Sequence, residues 1–389
     1  MTKSETVAEL EQQLVDCERA ASPDVHKQID ILNDLAWALS DTDLRRAYDL
    51  ARRAYELAAS PPDKTSPYQA GQGHGLRTMG YVNQRLGDYP TGLNELLQAL
   101  RLLEGFPTDG SLVDVYDGIA GIQFQIGNFP EALDMAYKQL KAAQSIQDPQ
   151  RIANAHNNLS AIYSETGDLG RSKETLDRNL VLAREIGHTR IECLTHINLA
   201  DYSVVAGEYD AAIEHGLRGL QLSREHAYSM FEIYALQIVG RAYQKQKDYD
   251  QAVVKLEEAI KQSRALGTKV TESLSLMHMG DVLRDMHQVE RATECLNRAV
   301  AISREISGSR EEYESHLILA EIFEQEGDAA RALAHFKQYQ SVKERFAGDK
   351  ADLRLKILKV THDTETARNE AEIERLRAVE LQRKNAEAA

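Results

Sequence analysis

Small and large apolar residues fall in a fixed register around a series of short polar turns. The turns are "GDY" at Gly87, "GNF" at Gly127, "GDL" at Gly167, "GEY" at Gly207, "KDY" at Lys247, "HQV" at His287 and "GDA" at Gly327, each forty residues after the last. Five positions after each turn stands a small residue: Gly92, Ala132, Ser172, Ala212, Ala252, Ala292 and Ala332. Seven positions before it stands another: Gly80, Ala120, Ser160, Ala200, Gly240, Gly280 and Ala320. Large apolar residues precede that second set (Met79, Ile119, Leu159, Leu199, Val239, Met279, Leu319). Small residues on both sides of a turn let two antiparallel helices approach closely, and the large neighbours fill the space around them. The pattern therefore predicts a helical hairpin at every turn. Gly ends the first helix because it adopts the left-handed C′ conformation without strain, and the Asp, Asn or Glu that follows helps to start the second.

An earlier, looser copy, "LAWALSDTDLRRAYDLARRAYELA", puts Ala47 at the small site of its second helix. Its spacing to the next copy is forty-five residues, with the extra length in "SPPDKTSP" at 60–67. Val7, Leu10, Leu14 and Cys17 follow 3-4-3 spacing, which predicts an amphipathic capping helix within residues 1–25.

Composition agrees with an all-helical chain: it is rich in Ala, Leu, Glu, Gln and Arg, with only 8 Pro and 6% aromatics. Three widely spaced cysteines, Cys17, Cys193 and Cys295, argue against a disulfide framework and for a reducing compartment. The N-terminus has no signal-peptide core, and no run approaches the ~20 apolar residues of a membrane span. A cytoplasmic protein with no membrane partner is expected. The net charge of -15 disfavours a nucleic-acid partner, because phosphate binding rests on clustered Lys and Arg.

The small/large/turn/small grammar over residues 26–348 resembles the tetratricopeptide repeat (TPR) in a forty-residue form. The resemblance implies an all-α, right-handed superhelix of about eight hairpins, followed by a long C-terminal helix at 349–389. It also implies that the first helix of each hairpin lines a concave groove for a peptide or protein segment. By that analogy the groove residues are Asn154, Asn157, Asn158, Asn198, Asp201, Tyr234, Gln237 and Arg241. Asn158 and Asn198 occupy equivalent sites in consecutive repeats, where kinesin light chain-type repeats use Asn to grip a ligand backbone. An amide both donates and accepts, which suits a peptide unit of any sequence. The competing expectation is that these amides crosslink neighbouring helices. The Lys/Asn clamp of chaperone-binding TPRs is absent, since Arg77 and Tyr81 hold the matching sites. Asp281, Asp285, Glu314, Glu321 and Glu324, interrupted by Arg284, form an acidic stretch.

No catalytic motif is present, so no enzyme activity, cofactor or metal is expected. "GQGHG" at 71–75 lacks the strand and the GK[ST] of a phosphate loop, and is expected to loosen the start of a helix. Cys193 and His196 share a helix face with His188 nearby, but a fourth metal ligand is wanting.

From Asp349 onward the chain carries nine basic and nine acidic residues and no Gly or Pro. Leu353, Ile357, Val360, Ala367, Ala371 and Leu381 trace a 4-3 seam, with a competing stripe through Ile373, Leu376 and Val379. Either predicts a homodimer through this helix as a two-stranded coiled coil; the competing expectation is a tail that packs on its own array. "NEAEIERLRAVELQRK" resembles the connecting helix between a TPR sensor and an output domain in bacterial signalling proteins, such as TPR-linked diguanylate cyclases. The expected function is a non-catalytic regulatory input module, with an output enzyme domain following in a longer parent protein. The alternatives are a free-standing adaptor of the kinesin light chain kind, and a Rap-type peptide receptor lacking that family's N-terminal bundle.

Overall fold

The computed structural model describes residues 3–20, 24–60, 67–106, 110–306 and 310–388. The described residues form seventeen α-helices and no strand. They are α1 (Lys3–Arg19), α2 (Val25–Leu39), α3 (Leu44–Ala59), α4 (Gln69–Leu86), α5 (Tyr89–Leu103), α6 (Ser111–Gln125), α7 (Phe129–Ser145), α8 (Pro149–Glu165) and α9 (Leu169–Glu185). They continue as α10 (Thr189–Ala206), α11 (Tyr209–Glu225), α12 (Ser229–Lys245), α13 (Tyr249–Leu266), α14 (Lys269–Asp285), α15 (Val289–Glu305), α16 (Arg310–Gln325) and α17 (Ala329–Ala388). The hairpins are α2/α3, α4/α5 and so on to α16/α17, a TPR-like all-α array. The insertion expected at 60–67 falls largely on 61–66, outside the described residues. The chain divides into two compact units: 1–151 together with 352–389, and 152–351.

The turn chemistry acts as its residues require. Gly87, Gly127, Gly167, Gly207 and Gly327 have φ between 73° and 82°, and Lys247 and His287 take the same left-handed conformation at 66° and 56°. After the turn, Asp88, Asp168, Asp248 and Asp328 accept the N–H three residues on, closing the cap. Asn128, Glu208 and Gln288 make no such bond. A second series of left-handed residues joins four successive hairpins to the next, from α7–α8 to α13–α14: Gln147, Gly187, Ala227 and Gly267, again forty apart.

The small sites are buried contact points. A Cβ on Gly80 would stand 2.9 Å from the Gly92 carbonyl oxygen, and one on Gly92 would stand 2.9 Å from that of Gly80. In α8/α9 the same two sites are serines, and Ser172 Oγ donates to the Ser160 carbonyl at 3.0 Å. The "GQGHG" stretch lies in the opening turns of a helix. It lies inside α4, where Tyr68, Leu103 and the Ala51 carbonyl pack within 2.8 Å of the points that a Cβ on Gly71, Gly73 and Gly75 would occupy. At the other end of this unit, Leu14 and Cys17 of α1 are buried in a cluster with Ile29, Leu32 and Leu35 of α2.

Candidate binding face

In the unit spanning 152–351, the first helices of five successive hairpins (α8, α10, α12, α14, α16) carry the expected groove positions. Each helix is tied to the next by polar side chains on this face. Asn198 Nδ2 donates to Asn157 Oδ1 at 3.3 Å, joining α10 to α8. Arg241 donates to Asp201 at 3.0 Å, joining α12 to α10. Gln237 Nε2 donates to the Thr271 carbonyl at 3.1 Å and to Ser275 Oγ at 2.8 Å, while Gln244 donates to Asp281 and Asp285, both at 2.8 Å. Arg284 bridges Asp281, Asp285 and, at 2.5 Å, Glu321 of α16.

These bonds commit five of the expected groove residues to contacts between helices. Asn157, Asn198, Asp201, Gln237 and Arg241 act as crosslinks between helices. The acidic stretch is likewise largely internal to the Arg284 network. Asn157 is 7% exposed and its Nδ2 is buried without a partner, an uncompensated donor of a kind that costs about 1–3 kcal/mol. Open to solvent on the same face are Asn154, Val205, Tyr234 and Lys245, with Asn158 and Leu194 half-buried between them. Val205 is 54% and Tyr234 37% exposed, which makes them unusual apolar surface for an inner helix face. His278 sits among these helices. Burial pushes it down to about 3, and Arg241, Arg310 and Lys245 add to that, so it is neutral.

The other unit uses the same device with different residues. Arg77, 7% exposed, stacks 4.0 Å over the Trp37 ring and donates to Ser111 at 2.6 Å and Asp114 at 3.3 Å. Tyr81 donates to Asp41 at 3.0 Å. The C-terminal part of α17 also lies on this unit. Arg354 Nε donates to the Ile126 carbonyl at 2.7 Å, its Nη2 donates to the Gly127 carbonyl, and Arg101 donates to the Thr364 carbonyl. Ile357, between these anchors, is 1% exposed, and Leu353 and Val360 are half-buried.

The first part of the expected dimer seam is thus covered by the chain's own array. Tethering explains this, since a partner in the same chain is present at a high effective concentration. Ala367 is exposed, and the side chains of Ala371 and Leu381 lie outside the described residues. Leu355, Leu358, Ile373 and Leu376 are 65%, 58%, 49% and 60% exposed.

A repeated four-residue cluster went unrecognised in the sequence. Arg184 donates to Glu192 at 3.1 Å and to His196 Nε2 at 3.2 Å, and His196 Nδ1 lies 3.0 Å from His215 Nδ1. Three repeats on, Arg304 donates to Glu312 at 2.8 Å and to His316 Nε2 at 3.3 Å, and His316 Nδ1 lies 3.0 Å from His335 Nδ1. Because the arginine occupies Nε2 as donor, the inner histidine carries its proton on Nδ1 and gives it to the outer one. Burial, with the facing histidine and arginine, pushes His196 and His316 each down to about 4, and His215 and His335 are lowered by burial too. Cys193 instead donates to the Gly219 carbonyl at 3.3 Å, and His188 caps α10 by accepting from the Ile191 N–H. The sequence pairing of Cys193 with His196 and His188 is therefore not a site.

No known protein family and no curated protein matches the sequence. Solved structures match the fold. A Rap protein complexed with Competence and Sporulation Factor shares 13% identity over 90% of this chain and 94% of its own, with a TM-score of 0.63. The apo form of the quorum sensor NprR from B. thuringiensis shares 13% identity over 88% and 96%, with a TM-score of 0.65. A STAND protein with a tetratricopeptide repeat sensor from Pyrococcus horikoshii shares 14% over 87% of this chain and 56% of its own, at 0.52. At these identities the likeness is one of fold, a TPR-like helical repeat array.

Proposed function

We propose that this chain is a non-catalytic, peptide- or protein-binding TPR module, and that an extended segment lies across the first helices α8, α10 and α12. The observation that carries the reading is the open strip of Asn154, Asn158, Leu194, Val205, Tyr234 and Lys245. Side-chain crosslinks hold the helices beneath it rigid, so the strip is presented with little to reorganise on binding. Its mixture of amides, an aromatic ring and aliphatic surface suits a peptide backbone with apolar side chains. The fold match to a Rap protein complexed with Competence and Sporulation Factor supports the reading of a partner-binding module with a place in signalling.

A relay through a homodimer would use the outer stripe of α17, Leu355, Leu358, Ile373 and Leu376, because the inner seam is engaged. If so, Leu358→Glu converts a dimer to a monomer in light scattering at micromolar concentration. A wild-type chain already monomeric there removes the relay.

The groove reading is tested with display-selected peptides. Tyr234→Ala combined with Val205→Asp is expected to weaken the best binder at least about tenfold with helicity unchanged. Unaltered affinity would sink it.

A further inference from the structure

The two histidine pairs are the chemistry on this molecule that neither the repeat grammar nor the binding face uses. They recur with the same four partners at the same offsets: Arg184, Glu192, His196 and His215, then Arg304, Glu312, His316 and His335. The intermediate repeats keep the clasp but not the pair. Arg224–Glu232 and Arg264–Glu272 close at 2.9 Å and 2.7 Å, while Leu236/Lys255 and Leu276/Cys295 stand where the histidines would. The fold therefore does not need the histidines at these positions.

We propose that each pair is a binding site for a borderline divalent transition-metal ion of the zinc class, held by the two Nδ1 atoms with water completing the coordination. Imidazole is the commonest nitrogen ligand for such ions. Two zinc–nitrogen bonds of about 2.0–2.1 Å at a tetrahedral angle place the nitrogens about 3.3 Å apart and the ring centres about 5 Å apart. The nitrogens here are 3.0 Å apart in both pairs, and the ring centres are 5.2 Å and 5.3 Å apart. Admitting the ion requires the rings to pivot off their shared hydrogen bond and the nitrogens to separate by a few tenths of an ångström.

The proton count balances without release. The inner histidine's proton leaves Nδ1 and is carried on Nε2 instead. For His196 that nitrogen lies 3.9 Å from Glu192 Oε1, so a carboxylate is in place to accept it as Arg184 withdraws. Such a carboxylate–histidine–metal chain fixes the ring and raises its basicity. Arg184 and Arg304 have side chains more than half exposed, so each can turn to solvent. The inner rings of His196 and His316 are buried and the outer rings of His215 and His335 half-buried, which leaves one open side for water ligands. Around the first pair Lys173 and Arg218 are offset by Glu214 and Asp177; around the second, Arg331 faces His335. The first site is the stronger of the two.

The test is calorimetric titration of the metal-free full chain with Zn2+ at neutral pH. Two ions per chain are expected. The double variant His196→Leu/His215→Lys, which imports the residues of a sister repeat, is expected to take up one ion fewer, and His316→Leu/His335→Lys likewise. X-ray absorption on the wild-type zinc complex is expected to show two imidazoles per ion, and this arm stands even where a variant fails to fold. No binding to the wild-type chain, unchanged stoichiometry in both variants, or a spectrum with fewer than two imidazoles overturns the proposal. None of these readouts involves a peptide, so the outcome is separate from that of the groove.

Discussion

Among single residues, the left-handed positions show where this chain sits off its optimum. The repeat needs a left-handed residue at two points, yet Lys247, His287, Gln147 and Ala227 supply it without being glycine. A Cβ in that conformation costs about 1–2 kcal/mol, against which glycine's extra unfolded-state entropy offsets roughly half. Ala227→Gly is therefore expected to stabilise the fold by about 0.5–1 kcal/mol, read as a higher urea midpoint with unchanged slope. A lower midpoint would mean that the Ala227 methyl makes contacts that outweigh its backbone. The same residues explain what the sequence hid. Turns marked by glycine and aspartate were legible because one letter does one physical job. The connections at Gln147, Gly187, Ala227 and Gly267 share a conformation but no letter, so no ruler could be laid on them.

For the helix elements, the hairpins could be read because close packing admits only small residues at two sites, whatever the surroundings. The bonds between hairpins could not be read so easily. Asn198 meets Asn157, forty-one residues away, so side-chain reach as well as repeat register decides the contacts. Arg241 and Asp201, by contrast, meet at the forty-residue spacing itself. The histidine pairs did have a signal, since two His–His spacings recur three repeats apart, but only the hairpin geometry brings their rings together.

The C-terminal helix was the least legible element. Its charged sequence suits a free coiled coil, yet Arg354 finds carbonyls left unpaired at the end of α6. Arg354→Ala is expected to free the segment after residue 352, seen as faster proteolysis between 355 and 370 while residues 152–351 stay protected. Equal cleavage rates in the two proteins would show that the arginine does not anchor it.

At the scale of the whole molecule, buried titratable groups set the response to acid. His196 and His316, held down from 6.5 to about 4, contribute stability that is present above 6.5 and lost as pH falls through 4. Each is worth roughly 3 kcal/mol at full loss. Glu95 acts the other way. It is 6% exposed, accepts from Asn83 at 2.7 Å, and burial pushes it up from 4.5 to about 6. Its contribution, roughly 2 kcal/mol, is present below 4.5 and lost as pH rises through 6. The histidines outweigh it, so stability is expected to fall between pH 6.5 and 4. His196→Leu with His316→Leu should flatten that fall in chemical denaturation series; an unchanged slope would place the acid-sensitive groups elsewhere.

The central claim is that the first helices of the unit at 152–351 present a ready-made face for a peptide. Among the described residues no helix is long and apolar enough to cross a membrane. The open strip on α8, α10 and α12 is the surface whose chemistry suits a ligand. Hydrogen exchange on the full chain with a display-selected peptide tests this most directly. The account predicts slowed exchange in α8, α10 and α12, with little change in the second helices α9, α11 and α13. Protection confined to those second helices, or to neither set, would contradict it.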